Sequence, residues 1–395
     1  MKQLTFPLLA LPLLLGLTAA SFSAKATHSA SQPRPLPEFN YTDGWLGADD
    51  AYSVPLTSTE SLWLFGDTFV GNSEAKLRSQ AKTMVRNSMG ISRCLPRKAC
   101  TMVYFWQKPE DPKPRSFFDT ETDELWYWPL DGFLDGKILY VSLLAVRNKP
   151  GAGPDDAFGF EIAGTKLATI DNAQISPEKW HIVIQDLTDS RLWAGVSMIP
   201  NGKYVIWYTQ VSSGEGRGYM TALRVPRDKL AKPSSAWEYL RTDGQWETGL
   251  AREDAMHLIE QPISEMSVRY HPLIKKWLAL STGPEFPSPR AVVRFANSPV
   301  GPWSDPQTIY EFPEMKRDNP GYDKDTFCYA VKEHIELANT KIVLTYACNS
   351  MVLAKTIANM NIYRPRVVVL DLPQTKPADR KPATPTEIRK EPAFR

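Results

Sequence analysis

Hydrolysis of a glycosidic bond needs two carboxyl groups, one as acid and one as nucleophile or base. The chain offers such a pair near its start. Asp67 follows an apolar run in Trp63-Leu64-Phe65-Gly66-Asp67-Thr68-Phe69, and Asp49 and Asp50 stand upstream in Gly47-Ala48-Asp49-Asp50-Ala51-Tyr52-Ser53. Between them lie two short apolar segments separated by Thr57 to Glu60. If 51–56 pairs antiparallel with 61–66, paired residue numbers add to about 117, and the acidic spots meet at the open end of the hairpin. A slip of one residue decides whether Asp49 or Asp50 shares a face with Asp67, because side chains alternate with period two. An Asx-turn capping a strand end is the alternative reading of each aspartate.

Other residues are candidates for holding a substrate. Glu265 opens an apolar strand segment, where a carboxylate hydrogen-bonds sugar hydroxyls or sets the pKa of a neighbour, or else pairs with Arg269 or Arg290. Asn87, Ser88, Asp131 and Asp325 lie at comparable strand ends and can supply hydroxyl contacts. Asp131-Gly132 is also an ordinary turn signal. Trp45, Trp128 and Trp193 are candidate sugar platforms among 12 Trp, 15 Tyr and 16 Phe, most of which must serve as core. The five histidines are scattered without metal-ligand spacing, which argues against a zinc site. Neither a Gly-x-Ser-x-Gly nucleophile elbow nor a Gly-rich phosphate loop occurs, which argues against hydrolase-elbow and nucleotide chemistry, and no cofactor is expected.

The elements that must position these residues are strands. Short Val, Ile, Tyr, Trp and Phe runs alternate with polar residues and are cut by Gly, Pro, Asn and Asp. They fall into five groups, beginning near Ala51, Glu124, Trp193, Met266 and Tyr329. Four strands repeated five times predict an all-β chain folded as a five-bladed β-propeller over 38–372. A pair of β-sandwiches would explain the strands but not the repeat. The fifth group is one strand short, and 38–46 is expected to complete it. Helix is expected only in short insertions, 74–84 and 251–260.

Compartment and partners follow from composition. Lys2, the apolar stretch Leu8 to Leu17 and Ala24-Lys25-Ala26 read as a cleavable export signal over residues 1–26. That stretch is too short to span a bilayer. A secreted or periplasmic protein is expected, with a loose segment over 27–37. Of the three connectivities four cysteines allow, the local pairs Cys94–Cys100 and Cys328–Cys348 are expected, with a metal site as the alternative reading. A net charge of +2 gives no reason to expect nucleic acid or a membrane surface as partner. From about Pro373 the chain is Pro-rich, charged and poor in large apolar residues, and is expected to be disordered.

A longer resemblance runs through the body. Trp45-Leu46-Gly47-Ala48-Asp49-x-Ala51-Tyr52-Ser53-Val54-Pro55-Leu56 with Leu62-Trp63-Leu64-Phe65-Gly66-Asp67-Thr68 resembles a family of secreted bacterial propellers. That family was long a domain of unknown function, and some members are endo-D-arabinanases. Asn87-Ser88, Trp128-Pro129-Leu130-Asp131-Gly132, Glu265-Met266-Ser267-Val268-Arg269-Tyr270-x-Pro272, Ser298-Pro299-x-Gly301-Pro302-Trp303 and Cys328-Tyr329-Ala330-x-Lys332-Glu333-His334 continue it in order. The resemblance covers about 43–372. It implies a five-bladed propeller whose funnel holds a furanose polysaccharide, with Asp49 and Asp67 as the catalytic pair. Asp50 departs from it, since a glycine or other small residue is expected there. Asp67 is expected to be the general acid and Asp49 the nucleophile or base. The expected function is a monomeric, secreted glycoside hydrolase acting within a chain such as D-arabinan. The alternatives are a carbohydrate-binding propeller without activity and an envelope-associated one.

Overall fold

The computed structural model describes residues 35–372, apart from 109–112, 121, 123, 152, 154–158, 190, 215–216, 262 and 339. The expected export signal and Pro-rich tail lie outside the described residues.

Seven strands come first: β1 (Trp45–Ala48), β2 (Tyr52–Pro55), β3 (Glu60–Phe65), β4 (Thr68–Gly71), β5 (Ala81–Val85), β6 (Ser88–Arg93) and β7 (Thr101–Phe105). They divide between a three-stranded sheet, β1-β4-β5, and a four-stranded one, β2-β3-β6-β7. Strands β8 (Leu125–Asp135), β9 (Ile138–Asn148), β10 (Phe160–Ile170) and β11 (Ile182–Asp189) make the next sheet. Then follow β12 (Leu192–Asn201), β13 (Tyr204–Gly214), β14 (Arg217–Pro226), β15 (Glu238–Leu240) and β16 (Trp246–Thr248). Strands β17 (Met266–His271), β18 (Lys276–Thr282), β19 (Arg290–Ala296) and β20 (Gln307–Glu311) form a further sheet, and β21 (Thr326–Glu333), β22 (Lys341–Ser350) and β23 (Arg366–Asp371) the last. All pairings are antiparallel. One α-helix, α1 (Leu353–Ala358), occurs among the described residues.

The arrangement is propeller-like. Strands β2, β8, β12 and β17 open successive sheets and pack one against the next, and β17 packs on β21. Apolar side chains fill the seams: Tyr52, Val54 and Leu64 meet Trp126, Leu139 and Val141 in one buried cluster. Trp63 and Phe65 join Leu337 and Val343 in another, so the last sheet packs against the first. Buried polar links bridge the same seams, each satisfying a group that would otherwise cost free energy inside. The Asn87 amide donates to the Phe118 and Tyr127 carbonyls at 2.8 and 2.9 Å. Asp131 accepts from Ser197 and from the Met198 amide at 3.1 and 2.8 Å. The Val268 amide donates to Ser197 and the Glu333 amide to Ser267. Ser53 bonds His334 Nδ1 at 2.6 Å, which ties β2 to the end of β21. Cys94–Cys100 and Cys328–Cys348 are disulfides, as the cysteine placement predicts.

Three expectations are corrected. Residues 38–46 do not complete the last sheet, which has three strands. Strand β1 pairs with β4 instead, and Phe39 packs edge-on against Trp63 at 4.9 Å. Over 74–84 there is only a 3₁₀ turn, Arg78–Gln80, before β5; the buried Arg78 guanidinium spends its donors on the Asn359 and Ile362 carbonyls. Segment 251–260 is not helical, because its amides reach outward, Met256 to the Leu240 carbonyl and Leu258 to that of Met220.

Candidate active site

The hairpin pairs Tyr52 with Leu64 and Ser53 with Trp63, so paired numbers add to 116, not the expected 117. Continued outward, that register sets Asp49 opposite Asp67. The Asp49 amide donates to the Asp67 carbonyl at 3.2 Å, and the Gly66 amide to the Asp49 carbonyl at the same distance. The two chains then part. Strands β1 and β4 go into one sheet and β2 and β3 into another, and the carboxyl groups sit at the fork. Asp50 makes the bend with φ 61°, in the left-handed region that an Asp side chain tolerates better than most. Gly66 is required by a close approach: a Cβ there would lie 2.3 Å from Asp49 Oδ1.

The paired aspartates have unlike surroundings. Asp67 accepts from Trp128 Nε1 at 3.0 Å and from the Arg86 guanidinium at 3.3 Å. Burial raises its pKa, while the Arg86 charge and both hydrogen bonds oppose that rise. Asp49 accepts one side-chain bond, from the Tyr329 hydroxyl at 3.2 Å. Burial, then the negative charges of Asp67, Asp50 and Glu265, push Asp49 well above the usual carboxylate range. Of the two, Asp49 is pushed the more strongly toward its protonated form. That order runs against the expectation of Asp67 as the acid, because a cation and an indole N–H both favour the charged form of Asp67 and neither is among the influences on Asp49.

A second group of charges lies beside Asp49. Asp50 is buried and bonded to the Lys332 ammonium, and it accepts from the Ala51 amide at 2.6 Å. Lys332 is 1 % exposed and lies over the Tyr52 ring at 4.1 Å. Glu265 adjoins the same pair. Burial, and then the Asp50 charge working against that of Lys332, raises its pKa to about 7.

The remaining candidates divide by what they touch. Trp128 is half-buried, holds Asp67, and meets Phe160 edge-on at 4.8 Å. Trp193 is half-buried between two of the core clusters. Asn87, Ser88 and Asp131 are fully buried with their polar atoms on protein partners. Ser88 bonds Thr68 Oγ1 at 2.8 Å, and Thr68 in turn donates to the Gly66 carbonyl, so it braces the fork from behind. Asp131 accepts from Gly132, Ser197 and Met198 and pairs with Arg269, within a bulged strand and not in the turn its sequence suggests. Asp325 pairs with Lys355 at 2.6 Å. Trp45 is core, stacked on Tyr104 at 4.2 Å.

Sequence reasoning missed Lys332, Arg86, Tyr329 and Tyr363, whose hydroxyl donates to the Asp67 carbonyl at 3.1 Å. Tyr329 and Lys332 stand inside a recognisable stretch but carry no signal of their own there. Glu314 lies with the sulfurs of Cys328 and Cys348, which are joined in a disulfide and so offer no thiolate to a metal.

Comparison with known proteins places the chain by family and by fold. Residues 38–371 match the family model described as Domain of unknown function (DUF5005). Among curated proteins the sequence finds no match. A solved structure from Bacteroides ovatus ATCC 8483, assigned as a hydrolase without a named substrate, superposes with a TM-score of 0.65 at 20 % identity, over 82 % of this chain and 86 % of that one. That likeness is one of fold. An endo-arabinase structure from Bacteroides thetaiotaomicron VPI-5482 aligns over 86 % of this chain and 98 % of its own, at 12 % identity and a TM-score of 0.44.

Proposed function

This chain belongs to the DUF5005 family, and we propose that it is an exported glycoside hydrolase acting within a furanose polysaccharide such as D-arabinan. The observation that carries the reading is the Asp49–Asp67 pair, set opposite each other with unlike electrostatics. On this reading the sheets opened by β2, β8, β12, β17 and β21 are the blades of a propeller, and the fork between β1–β4 and β2–β3 lies at the mouth of its funnel. The furanose and D-arabinan assignments rest on the resemblance of the Trp45–Thr68 motif.

In the proposed reaction the protonated Asp49 carboxyl gives its proton to the glycosidic oxygen as the bond to the anomeric carbon breaks. The Asp67 carboxylate either attacks the anomeric carbon itself, to be displaced later by water, or takes a proton from the water that attacks it. Water supplies the hydroxyl on the new reducing end and the proton that restores Asp49. Arg86 and Trp128 keep Asp67 ionised and aimed, which is the use of pre-set hydrogen bonds in an active site. Glu265 acts through its charge on Asp49.

Reducing-sugar release from D-arabinan, arabinogalactan and a xylan control tests the reading. Release from the arabinose polymers, with products of several lengths early in the reaction, is the expected result. Wild-type protein that releases nothing from any polymer removes it.

The charge on Glu265 makes a further expectation. Its ionisation near pH 7 adds a negative neighbour that helps Asp49 keep its proton. Removing that charge lowers the Asp49 pKa. In Glu265→Gln the alkaline limb of the kcat/KM profile therefore moves to lower pH, since that limb reports loss of the acid's proton. An unmoved limb takes Glu265 out of the electrostatics of the pair.

A further inference from the structure

A line of aromatic rings leads outward from Asp49. Tyr329, whose hydroxyl donates to Asp49, stacks on Phe327 with centroids 5.3 Å apart and planes 27° apart. Phe327 in turn meets Phe286 at 5.7 Å. Phe327 is almost wholly buried, whereas Phe286 is 67 % exposed.

The topology sets Phe286 at the same end of the sheets as the aspartates. Met266 at the start of β17 pairs with Ser281 near the end of β18, so the 283–289 connection stands beside Glu265. Thr326 at the start of β21 pairs with Ser350, and Asp49 precedes β2 in the same sense. The connection is braced: the Gly283 amide donates to the Arg290 carbonyl at 3.0 Å, and Glu285 pairs with Arg290 at 3.0 Å. A large apolar ring held outward on a braced loop, in line with a buried stack that ends on a carboxyl group, points to a ligand with an apolar face.

We infer that Phe286 is the outer platform of a sugar-binding subsite, on which the C–H face of a residue of the glycan packs while the chain runs on to Asp49. This rests on the glycoside hydrolase reading for the occupant, and it adds a recognition site that the carboxyl pair does not need. A sugar suits the surface because its C–H face is apolar and its rim of hydroxyls stays in water, a division that an exposed aromatic ring also makes. Tyr329 joins the two parts, with its ring in the stack and its hydroxyl on Asp49.

The test uses three variants of the full chain, Phe286→Ala, Phe286→Leu and Phe286→Trp, each checked by thermal unfolding. Two readouts are taken: kinetics on the polymer that wild type cleaves, and retardation in native gels cast with arabinan, arabinogalactan or xylan. Phe286→Ala is expected to raise KM about tenfold, a difference of about 1.4 kcal/mol, with the loss carried by KM more than by kcat. Phe286→Trp restores binding because it keeps a flat ring. Phe286→Leu does not, which separates ring stacking from general apolar contact. Hydrolysis with wild-type KM in Phe286→Ala overturns the subsite and leaves the hydrolase reading standing. Retardation without hydrolysis, lost in Phe286→Ala, keeps the subsite and overturns the hydrolase reading. Neither hydrolysis nor retardation by any of the three polymers overturns both. Equal behaviour of the Leu and Trp variants overturns stacking as the mode of recognition.

Discussion

Asp67→Asn and Asp49→Asn are each expected to cut turnover by a factor on the order of 10² or more, since positioned acid–base groups contribute roughly 10²–10⁴-fold. The substitution keeps size and most hydrogen bonding. In Asp67→Asn the Trp128 donor still finds an oxygen, but the anion is gone and the Arg86 guanidinium loses its partner. In Asp49→Asn no proton is available for the leaving oxygen. The two variants should differ in pH behaviour. Residual activity of Asp49→Asn loses the alkaline limb, while that of Asp67→Asn loses the acid one. Glycan binding should survive in both, because the rings around the site remain. If the aspartates were only turn residues, both variants would unfold more readily and keep turnover per folded molecule. Measuring turnover with thermal unfolding separates the cases, and wild-type turnover in a well-folded Asp67→Asn protein removes the basis for a catalytic pair.

Lys332→Met is expected to destabilise the fold by about 3–5 kcal/mol, the usual cost of removing one partner of a buried ion pair. Lys332 and Asp50 side chains are 1 % and 9 % exposed, and Glu265 crowds the same place. Without the ammonium, two carboxyl groups share a space that water barely enters. Most of the loss should return in the double variant Asp50→Asn/Lys332→Met, which removes both charges. A pH dependence accompanies it. Burial already raises the Asp50 pKa, and Lys332 is the chief influence holding it down. In Lys332→Met the folded-state value rises further above that of the unfolded chain, so the folded state binds protons more readily. Its stability therefore increases as pH falls from the raised folded value toward the unfolded one, about 3.9. Denaturant unfolding of the single and double variants across pH measures both effects. A Lys332→Met protein as stable as wild type at neutral pH, or a double variant no better than the single, would show that the pair does not hold the fork.

These two results bear on one another through Asp50. The extra carboxylate that sets this chain apart from the sequences it resembles is not free to react. Its charge is met by Lys332, and its left-handed backbone turns the chain so that Asp49 faces Asp67. Asp50→Gly keeps the bend, since glycine adopts the same φ, but leaves Lys332 unpaired; its cost should fall on stability more than on turnover.

Much of the strand pattern was legible. The five groups of alternating residues match the sheets opened by β2, β8, β12, β17 and β21, because a half-buried strand writes its period of two into the sequence. The local disulfides were legible for the same kind of reason, Cys94 and Cys100 across a short loop and Cys328 and Cys348 on adjacent strands. The two catalytic candidates could be named, since an acidic residue after an apolar run is a local signal. Their register could not. It depends on a bend at Asp50 and on Gly66 yielding room for a carboxyl group, and neither shows in a hydrophobic pattern. Asn87, Ser88 and Asp131 read as sugar contacts by position, yet their hydrogen bonds cross seams between sheets, and a seam is made by residues far apart in the chain. The electrostatics were decided the same way. Arg86 comes to Asp67 from the turn before β6, Trp128 from β8, Tyr329 and Lys332 from β21, and only the closing of the sheets on one another brings these donors to the fork. Sequence alone determined which residues carry ionisable groups and which elements bear them. The tertiary structure decided which carboxyl group is pushed harder toward its protonated form, because that depends on charges and burial that exist only once the last sheet has packed against the first.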